Sequence, residues 1–165
     1  GRRPARFVGS SSAASLGAMS VPSVQFYDET ECLEVEAFLV ERIYEFNARA
    51  TGFYDGRLLG GAIRDESGQL IAAFNGHTWG NCCVIAHLWV HESHRGRGFG
   101  RALLQAAETE AVRRGCEQIV LSTHTFQAPA FYERLGYEPR AVVPGHPKGY
   151  ANITLVKRIG AQEGA

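Results

Sequence analysis

The alternation of apolar and polar positions along the chain predicts many short strands and a few helices. Apolar residues that recur every three or four positions predict a first helix from an N-cap near Thr30 to about Ala48 and a second helix over 98–114. Pro129 stands where a short third helix would begin. Strands are predicted at 23–27, 58–64, 69–78, 82–90, 118–122, 137–142 and 152–157.

The connections between the predicted strands indicate how the strands pair. Residues 65–68 (DESG) and 80–81 (GN) are hairpin turns, which join antiparallel neighbours. The helix over 98–114 instead separates two strands, and a strand–helix–strand unit makes its strands parallel. The sequence therefore predicts an α/β (α+β) protein with a mixed, mostly antiparallel sheet of six to seven strands and helices on both faces. We expect residues 19–160 to form a single domain.

Composition narrows the class of protein. The 165 residues include 17 Lys+Arg and 17 Asp+Glu, with 45% hydrophobic and 21% charged residues, which fits one packed domain better than a disordered chain. A formal charge of zero excludes a broadly basic surface. The formal charge of −3 that remains without the first 18 residues disfavours a nucleic-acid partner. Because no apolar run approaches the roughly 20 residues of a membrane helix, we expect no membrane span.

The first 18 residues differ in composition from the rest of the chain. They contain three arginines and no acid, and a run of small residues precedes Met19. We interpret residues 1–18 as a disordered stretch added for recombinant expression, with a genuine basic tail as the alternative. Without those three arginines, 14 Lys+Arg remain against 17 Asp+Glu, so the domain has a formal charge of −3.

Four cysteines indicate the redox environment. They are Cys32, Cys82, Cys83 and Cys116, and no two of them form a C-x-x-C pair. A zinc cluster therefore lacks its usual ligand spacing, and we expect no metal. Thiols without a disulfide framework fit a reducing cytoplasm, where they would serve as small buried apolar side chains.

The candidate chemistry lies in Arg95–Gly100, which connects a predicted strand to a predicted helix. The sequence RGRGFG lets the backbone approach a ligand closely, and the helix that follows directs its free N–H groups and positive dipole end at the loop. Such a loop holds anions, most naturally a phosphate or pyrophosphate. Its spacing, G-x-G-x-G, matches neither the dinucleotide fingerprint nor a P-loop. A tight strand–helix turn without a ligand is the alternative.

Three segments taken together are similar to a known family. L-W-V at 88–90, R-x-x-G-x-G at 95–100 and F-Y-E-R-L-G-Y at 131–137 occur in that order. The combination resembles the GNAT superfamily of acyl-CoA-dependent N-acetyltransferases over roughly Leu58–Lys157. The resemblance implies a sheet whose fourth and fifth strands splay apart to admit acetyl-CoA as co-substrate. It also implies direct acetyl transfer, through a tetrahedral intermediate, to a primary amine of a small molecule or a protein.

The resemblance also implies which residues bind the coenzyme. The amides of the glycine-rich loop would hold the pyrophosphate, and the backbone of Leu88 and Val90 would pair with the pantetheine. Tyr132 would lie beside the thioester sulfur. At position 125 the family often has Asn, and the threonine found here offers one fewer donor and a shorter reach. The implied coenzyme-binding residues are Leu88, Trp89, Val90, Arg95, Gly96, Arg97, Gly98, Phe99, Gly100, Thr125, Ala128 and Tyr132.

Acetyl transfer to an amine requires a group that accepts a proton and a group that donates one. Tyr132 is the candidate donor to the leaving thiolate, and its alternative role is that of an aromatic core residue. His87 is the only titratable residue within 84–88, which makes it the candidate base, with a structural histidine as the alternative. His124 and His146 are further candidates for the base.

Two questions concern the acceptor and the class of function. Glu41 and Glu45, one turn apart on the first predicted helix, could attract a cationic amine, although such acids commonly form a solvated face. The same fold could serve as a non-catalytic acyl-CoA-binding sensor. Retention of Tyr132 beside an intact glycine-rich loop favours the enzyme. The oligomeric state stays open, a homodimer included.

Overall fold

The computed structural model describes residues 24–160, which fall into two units, 24–38 and 39–160. The stretch 1–18 and Ser23 lie outside the described residues. Residues 24–28 have no regular secondary structure, so the strand predicted at 23–27 is wrong over 24–27. An apolar alternation forms a strand only where a neighbouring strand accepts its hydrogen bonds.

Helix α1 (Glu29–Thr51) begins at a cap that the sequence analysis placed two residues too late. The carboxylate of Asp28 accepts the backbone N–H groups of Thr30 and Glu31, both at 2.9 Å. In return, the carboxylate of Glu31 accepts the N–H of Asp28 at 3.2 Å. This reciprocal pair is a capping box, so Asp28 caps the helix and the prediction of Thr30 is wrong.

In the second unit, α1 continues three residues beyond its predicted end at Ala48, which is buried. The Thr51 hydroxyl donates to the carbonyl oxygen of Asn47 at 2.7 Å. The next residue, Gly52, has a φ of 78°, a left-handed conformation that commonly terminates a helix.

The rest of the second unit is a six-stranded sheet with two further α-helices and a short 3₁₀ helix, Glu92–His94. Every neighbouring pair of strands is antiparallel except β3–β4, which is parallel, and the strand order is β1-β2-β3-β4-β6-β5. This arrangement confirms the predicted fold class. None of the helices within residues 24–160 has the length and apolar character that crossing a membrane requires. The elements are β1 (Arg57–Arg64), β2 (Leu70–Trp79), β3 (Cys82–Val90), α2 (Phe99–Arg113), β4 (Gln118–His124), α3 (Pro129–Glu133), β5 (Glu138–Pro144) and β6 (Ala151–Arg158).

The core lies between α2 and the sheet, because α2 packs across β1, β2 and β3. Tyr137, which follows α3, is only 1% exposed, and its hydroxyl donates to the Glu108 carboxylate of α2 at 3.1 Å. Lys157 of β6 donates to the same carboxylate at 2.8 Å. Burial, and then the Glu108 carboxylate, raise the pKa of Tyr137, so its hydroxyl stays protonated. The buried apolar residues on α2 are Leu103, Leu104, Ala107 and Ala111.

The two parallel strands separate along part of their length. Pairing between β3 and β4 stops at Ile85 and Leu121, whereas β3 continues to Val90 and β4 to His124. We call the opening between these unpaired ends the strand gap. It confirms the splay predicted between the fourth and fifth strands, which are β3 and β4 because residues 24–27 form no strand.

A β-bulge accounts for the strand gap. Asn75 of β2 pairs with His87, but the next residue, Gly76, pairs with Ile85, so β3 has one extra residue. A Cβ atom on Gly76 would collide with the carbonyl oxygen of Val84, which explains the glycine. A bulge increases the local twist and bends the strand, and here it turns the end of β3 away from β4.

Candidate active site

The glycine-rich loop leads into the N-terminus of α2, where backbone donors are free. Gly98 is the N-cap of α2 and supplies no side-chain cap, and the first turn contains no acid. The carbonyl of Gly98 accepts the N–H of Ala102 at 2.9 Å. Because this is the first bond of the helix, the N–H groups of Phe99, Gly100 and Arg101 have no acceptor within it. Together with the helix dipole, these donors form a site for an anion.

The glycines at 98 and 100 serve different purposes. Gly98 has a φ of 87°, and no atom lies within 4 Å of where its Cβ would stand, so the backbone conformation requires glycine and the space beside it is open. A Cβ on Gly100 would lie 3.2 Å from Cζ of Phe131, the residue that precedes Tyr132 on α3. Gly98 therefore shapes the loop, and Gly100 allows α2 and α3 to pack closely.

The two arginines of the loop are exposed and differ in their contacts. Nε of Arg95 donates to the carbonyl oxygen of Val90 at 3.2 Å, which fastens the loop to the end of β3. The Arg97 guanidinium lies 5.6 Å from the ring centroid of Phe99, and that ring packs against the core. Between them Gly96 has a φ of 72°. Both arginines therefore add positive charge at the mouth of the anion site.

The backbone of β3 presents alternate residues to the strand gap. The N–H of His91 donates to the carbonyl of Ile71, so it faces β2. Because backbone groups alternate in direction along a strand, those of Leu88 and Val90 face the strand gap. Trp89, in contrast, turns its backbone toward β2. Leu88 and Val90, whose backbone was predicted to pair with the pantetheine, can thus hydrogen-bond to a ligand in the strand gap. The backbone of Trp89 does not face the gap.

Tyr132 is half-buried on α3 and packs against the core. Its ring makes edge contacts with Phe131 and Tyr137, at centroid distances of 5.0 and 6.1 Å. Burial raises the pKa of the Tyr132 hydroxyl, because a phenolate is poorly solvated there. The hydroxyl therefore keeps its proton at neutral pH and can act as a donor.

Two predicted coenzyme-binding residues lie on the connection between β4 and α3. Thr125 exchanges two hydrogen bonds with Ala151: its N–H donates to the Ala151 carbonyl at 2.9 Å, and its hydroxyl accepts the Ala151 N–H at 3.1 Å. The hydroxyl hydrogen is not used in this pair. Ala128 is the N-cap of α3, and its carbonyl accepts the N–H of Phe131 at 3.0 Å. Thr125 thus has an evident structural role in joining β4 to β6.

Two histidines lie on the sheet face opposite α2, one on each side of the strand gap. Leu88 and Val90 pack against the core, so His87, the residue before Leu88, faces the other way, and it is exposed. Its Nδ1 lies 2.9 Å from Oδ1 of Asn75. On β4, Thr123 is buried, so the adjacent His124 also lies on the face opposite α2.

The surroundings of His124 are the part of the site that sequence reasoning missed. Oε1 of Gln127 accepts the backbone N–H of His124 and lies 3.3 Å from Nδ1 of its ring. The rings of Phe126, His146 and Tyr150 cluster beside His124. The run HTFQ at 124–127 is consecutive in the sequence, but Tyr150 joins it only through the β4–β6 pairing. The sequence carries no signal for that contact.

The two acids proposed for the acceptor pair with arginines of the same helix. Glu45 forms ion pairs with Arg42 at 3.0 Å and with Arg49 at 3.6 Å, and Glu41 lies 3.2 Å from Arg42. Partly exposed pairs of this kind fit the alternative of a solvated helix face. Within residues 24–160, no group of three or more His, Cys, Asp or Glu side chains could hold a metal ion.

A strand gap beside an anion site, with a protonated tyrosine on the next helix, defines an acyl-CoA-dependent acyltransferase. The sequence matches the acetyltransferase (GNAT) family over residues 23–137, and the chain belongs to that family. It is 37% identical over 95 residues to the blasticidin-S acetyltransferase of Streptomyces morookaense, covering 57% of this chain and 70% of that protein.

Solved structures show the same fold. The crystal structure of an acetyltransferase from Bacillus cereus ATCC 14579 gives a TM-score of 0.67 at 27% identity and covers 84% of this chain and 98% of that one. An aminoglycoside 6′-N-acetyltransferase complexed with coenzyme A gives a TM-score of 0.56 at 23% identity, covering 65% of this chain and 76% of that one.

Proposed function

We propose that this acetyltransferase moves the acetyl group of acetyl-CoA to a primary amine of a small molecule, in the cytoplasm. The observation that carries the proposal is the strand gap lying beside the N-terminus of α2. A ligand that combines a pyrophosphate with an extended, amide-bearing chain could use both features, because the helix binds the anion and the open strand binds the amides. The family and the coenzyme A complex of one structural relative support acyl-CoA as the donor.

Two relatives support a small molecule as the acceptor. One is named as an acetyltransferase of blasticidin-S and the other as an aminoglycoside 6′-N-acetyltransferase. Their names point to compact, amine-bearing acceptors for this chain as well. An amine on a protein is the other acceptor class that the reaction chemistry admits.

The residues of the strand gap supply the interactions that the transfer needs. The backbone of Leu88 would pair with the pantetheine chain, and the N–H of Val90, which faces the gap, would stabilise the negative charge that develops on the carbonyl oxygen. The Tyr132 hydroxyl would donate its proton to the leaving sulfur. The raised pKa of Tyr132 supports this role, because the donor must be protonated at neutral pH.

The acceptor amine must lose a proton before it attacks. A primary amine with an ordinary pKa of about 10.4 is almost entirely charged at neutral pH. The sequence suggested His87 first for this base, with His124 and His146 as further candidates. His87 is exposed and lies beside the strand gap on the face opposite α2.

The experiment is to measure free thiol release from acetyl-CoA in the presence of a panel of amines. The panel contains blasticidin-S, an aminoglycoside, a polyamine and a lysine-bearing peptide, and mass spectrometry identifies any acetylated product. Thiol release with a small amine, and little with the peptide, supports the proposal. Tight acetyl-CoA binding without thiol release for any amine would favour the non-catalytic sensor instead.

A further inference from the structure

A hydrogen-bonded histidine at the end of β4 has the features of a base with a defined tautomer. We propose that His124 is the general base that removes the proton from the acceptor amine, and that the aromatic rings around it bind that acceptor. This inference rests on the proposed function, and it assigns to His124 the role for which the sequence suggested His87 first and His124 as a further candidate.

The hydrogen bonds of Gln127 determine which nitrogen of His124 carries a hydrogen. Oε1 of Gln127 accepts the backbone N–H of His124 at 2.8 Å and lies 3.3 Å from its Nδ1. A backbone N–H can only donate, so the oxygen end of the amide faces the histidine. Because that oxygen can only accept, Nδ1 carries the hydrogen. The lone pair of the neutral imidazole is then on Nε2.

Gln127 is itself held in place. The hydroxyl of Thr123, which is 3% exposed, donates to the same oxygen at 3.1 Å. The backbone N–H of Gln127 donates to the carbonyl of His124 at 2.9 Å, which closes the turn after β4. A buried anchor on one side and a turn on the other therefore fix the tautomer of His124 before any substrate binds.

The position of His124 suits a group that meets the acceptor. Pairing between β3 and β4 ends at Leu121, and His124 is the last residue of β4, so it lies at the rim of the strand gap. It is on the sheet face opposite α2, whereas the anion site is formed by the N-terminus of α2. An acceptor beside His124 would reach the gap from the face opposite the phosphate loop.

The aromatic rings next to His124 offer a surface for a cation. The Phe126 ring stacks on His124 at 5.2 Å with an interplanar angle of 14°, and Tyr150 meets Phe126 edge-on at 4.9 Å. Phe126 is 53% exposed and Tyr150 is 51% exposed, so both rings can touch a ligand. An ammonium group is attracted to ring faces, which favours an acceptor that arrives as a protonated amine.

His124 is better defined as a base than His87. Within residues 24–160 the hydrogen-bond partner of the His87 side chain is the side-chain amide of Asn75, whose two ends can exchange by a flip. His124 instead has a backbone donor that fixes the orientation of its partner. Two titratable residues lie near His124. The His146 ring meets the His124 ring edge-on at 5.4 Å, and Tyr150 contacts Phe126, which stacks on His124. Asn152, which pairs with His124 on β6, does not titrate.

The acceptor nitrogen loses two protons during the transfer, one before it attacks and one afterwards. Nε2 of His124 takes one proton from the ammonium group of the acceptor, and the neutral amine attacks the thioester carbonyl. The C–N bond forms, the C–S bond breaks, and the sulfur takes a proton from the Tyr132 hydroxyl. The nitrogen loses its second proton, which restores Tyr132 by way of solvent, and His124 releases its proton to solvent. The net reaction converts an ammonium and a thioester to an amide, a thiol and one proton.

The first test compares the kinetics of variants at three histidines that lie on the same face of the sheet. His124→Gln should lower kcat about 100-fold or more, the lower end expected for a general base, with the acetyl-CoA dissociation constant changed less than twofold. His124→Ala should recover part of its activity when imidazole is added, which a structural role would not allow. His77→Gln on β2 is the control for a change on the exposed face. A loss that follows His87→Gln and not His124→Gln would overturn the proposal.

The second test concerns Gln127 and adds a spectroscopic measurement to the kinetic one. ¹⁵N NMR of the imidazole in the resting protein should show Nδ1 protonated in His124, and Gln127→Met should abolish that preference and lower kcat, whereas Gln127→Glu should preserve both. A resting Nε2–H tautomer would overturn the proposal. If the wild-type protein acetylates amines and His124→Gln is equally active, the base role alone is overturned. A wild-type protein that acetylates no amine would overturn the proposed function and the base role with it.

Discussion

Replacing Gly98 by glutamate tests the anion site, because the structure separates the backbone cost from the electrostatic cost. Gly98 has a φ of 87° and no atom within 4 Å of a Cβ, so the side chain meets no obstacle and only the left-handed conformation is strained. That strain costs about 1–2 kcal/mol. It should lower Tm by roughly 2–8 °C, so the variant should remain folded.

The electrostatic cost falls on coenzyme binding. A carboxylate about 6 Å from one phosphate charge, at an effective dielectric constant of about 20, is repelled by about 2.8 kcal/mol. Since about 1.4 kcal/mol corresponds to a tenfold change in affinity, Gly98→Glu should weaken acetyl-CoA binding roughly 100-fold. Gly98→Ala has the same backbone strain without the charge and should keep most of the affinity.

The assay is calorimetric titration of acetyl-CoA into the folded variants. Gly115, just beyond the C-terminus of α2, provides a matched control, because its φ is 82° and nothing lies within 4 Å of a Cβ there. Gly115→Glu should lose similar stability and keep wild-type affinity. Equal affinities of Gly98→Glu and Gly115→Glu would refute the anion site at the N-terminus of α2.

Three further predictions concern single side chains. Tyr132→Phe should lower kcat about 100-fold and leave acetyl-CoA affinity unchanged, because the packed ring remains and the donor is lost; an unchanged kcat across pH would make Tyr132 a packing residue. Tyr137→Phe should lower the free energy of unfolding in urea by about 1.5 kcal/mol, since its hydroxyl bonds a carboxylate in the interior, and equal stability would contradict that contribution. Hydrogen bonds from Arg113 and Arg114 lower the pKa of Glu110 from 4.5 to about 2. The stability that the Glu110 carboxylate contributes is therefore present above pH 4.5 and lost as the pH falls toward 2. The Tm difference between wild type and Glu110→Gln should shrink over that range, and a constant difference would argue against the shift.

Local patterns predicted most of the fold, and the main error occurs where the secondary structure depends on residues distant in the sequence. The strands from Arg57 onward follow from alternation and turn residues, which act between neighbours in sequence. The strand predicted at 23–27 shows alternation, but its described residues 24–27 pair with no other strand, which no local pattern can reveal. The error at the cap of α1 is of another kind, because the sequence could have prevented it. Asp28 and Glu31 form a D-x-x-E signature of a helix N-terminus.

The candidate site divides in the same way. The conformation of the glycine-rich loop could be predicted, because its left-handed positions are occupied by glycines that the sequence displays. The roles of this loop and of Tyr132 toward the coenzyme stay predictions. The tautomer of His124 could not be predicted, because it depends on a glutamine folding back over a turn and on a threonine that the core buries. Likewise, the direction of the Leu88 and Val90 backbone depends on the register with β2.

The strand gap is an edge in the interior of a sheet. Outer edges of sheets attract additional strands, and proteins normally protect them. Here the backbone of Leu88 and the N–H of Val90, which have no partner on β4, lie within the sheet and not at its outer margin. If the coenzyme fills this position, it completes the sheet, and a concentration of 100 times its dissociation constant would stabilise the folded chain by about 2.7 kcal/mol. The survival of the enzyme in a cell would then depend on the supply of the molecule it consumes.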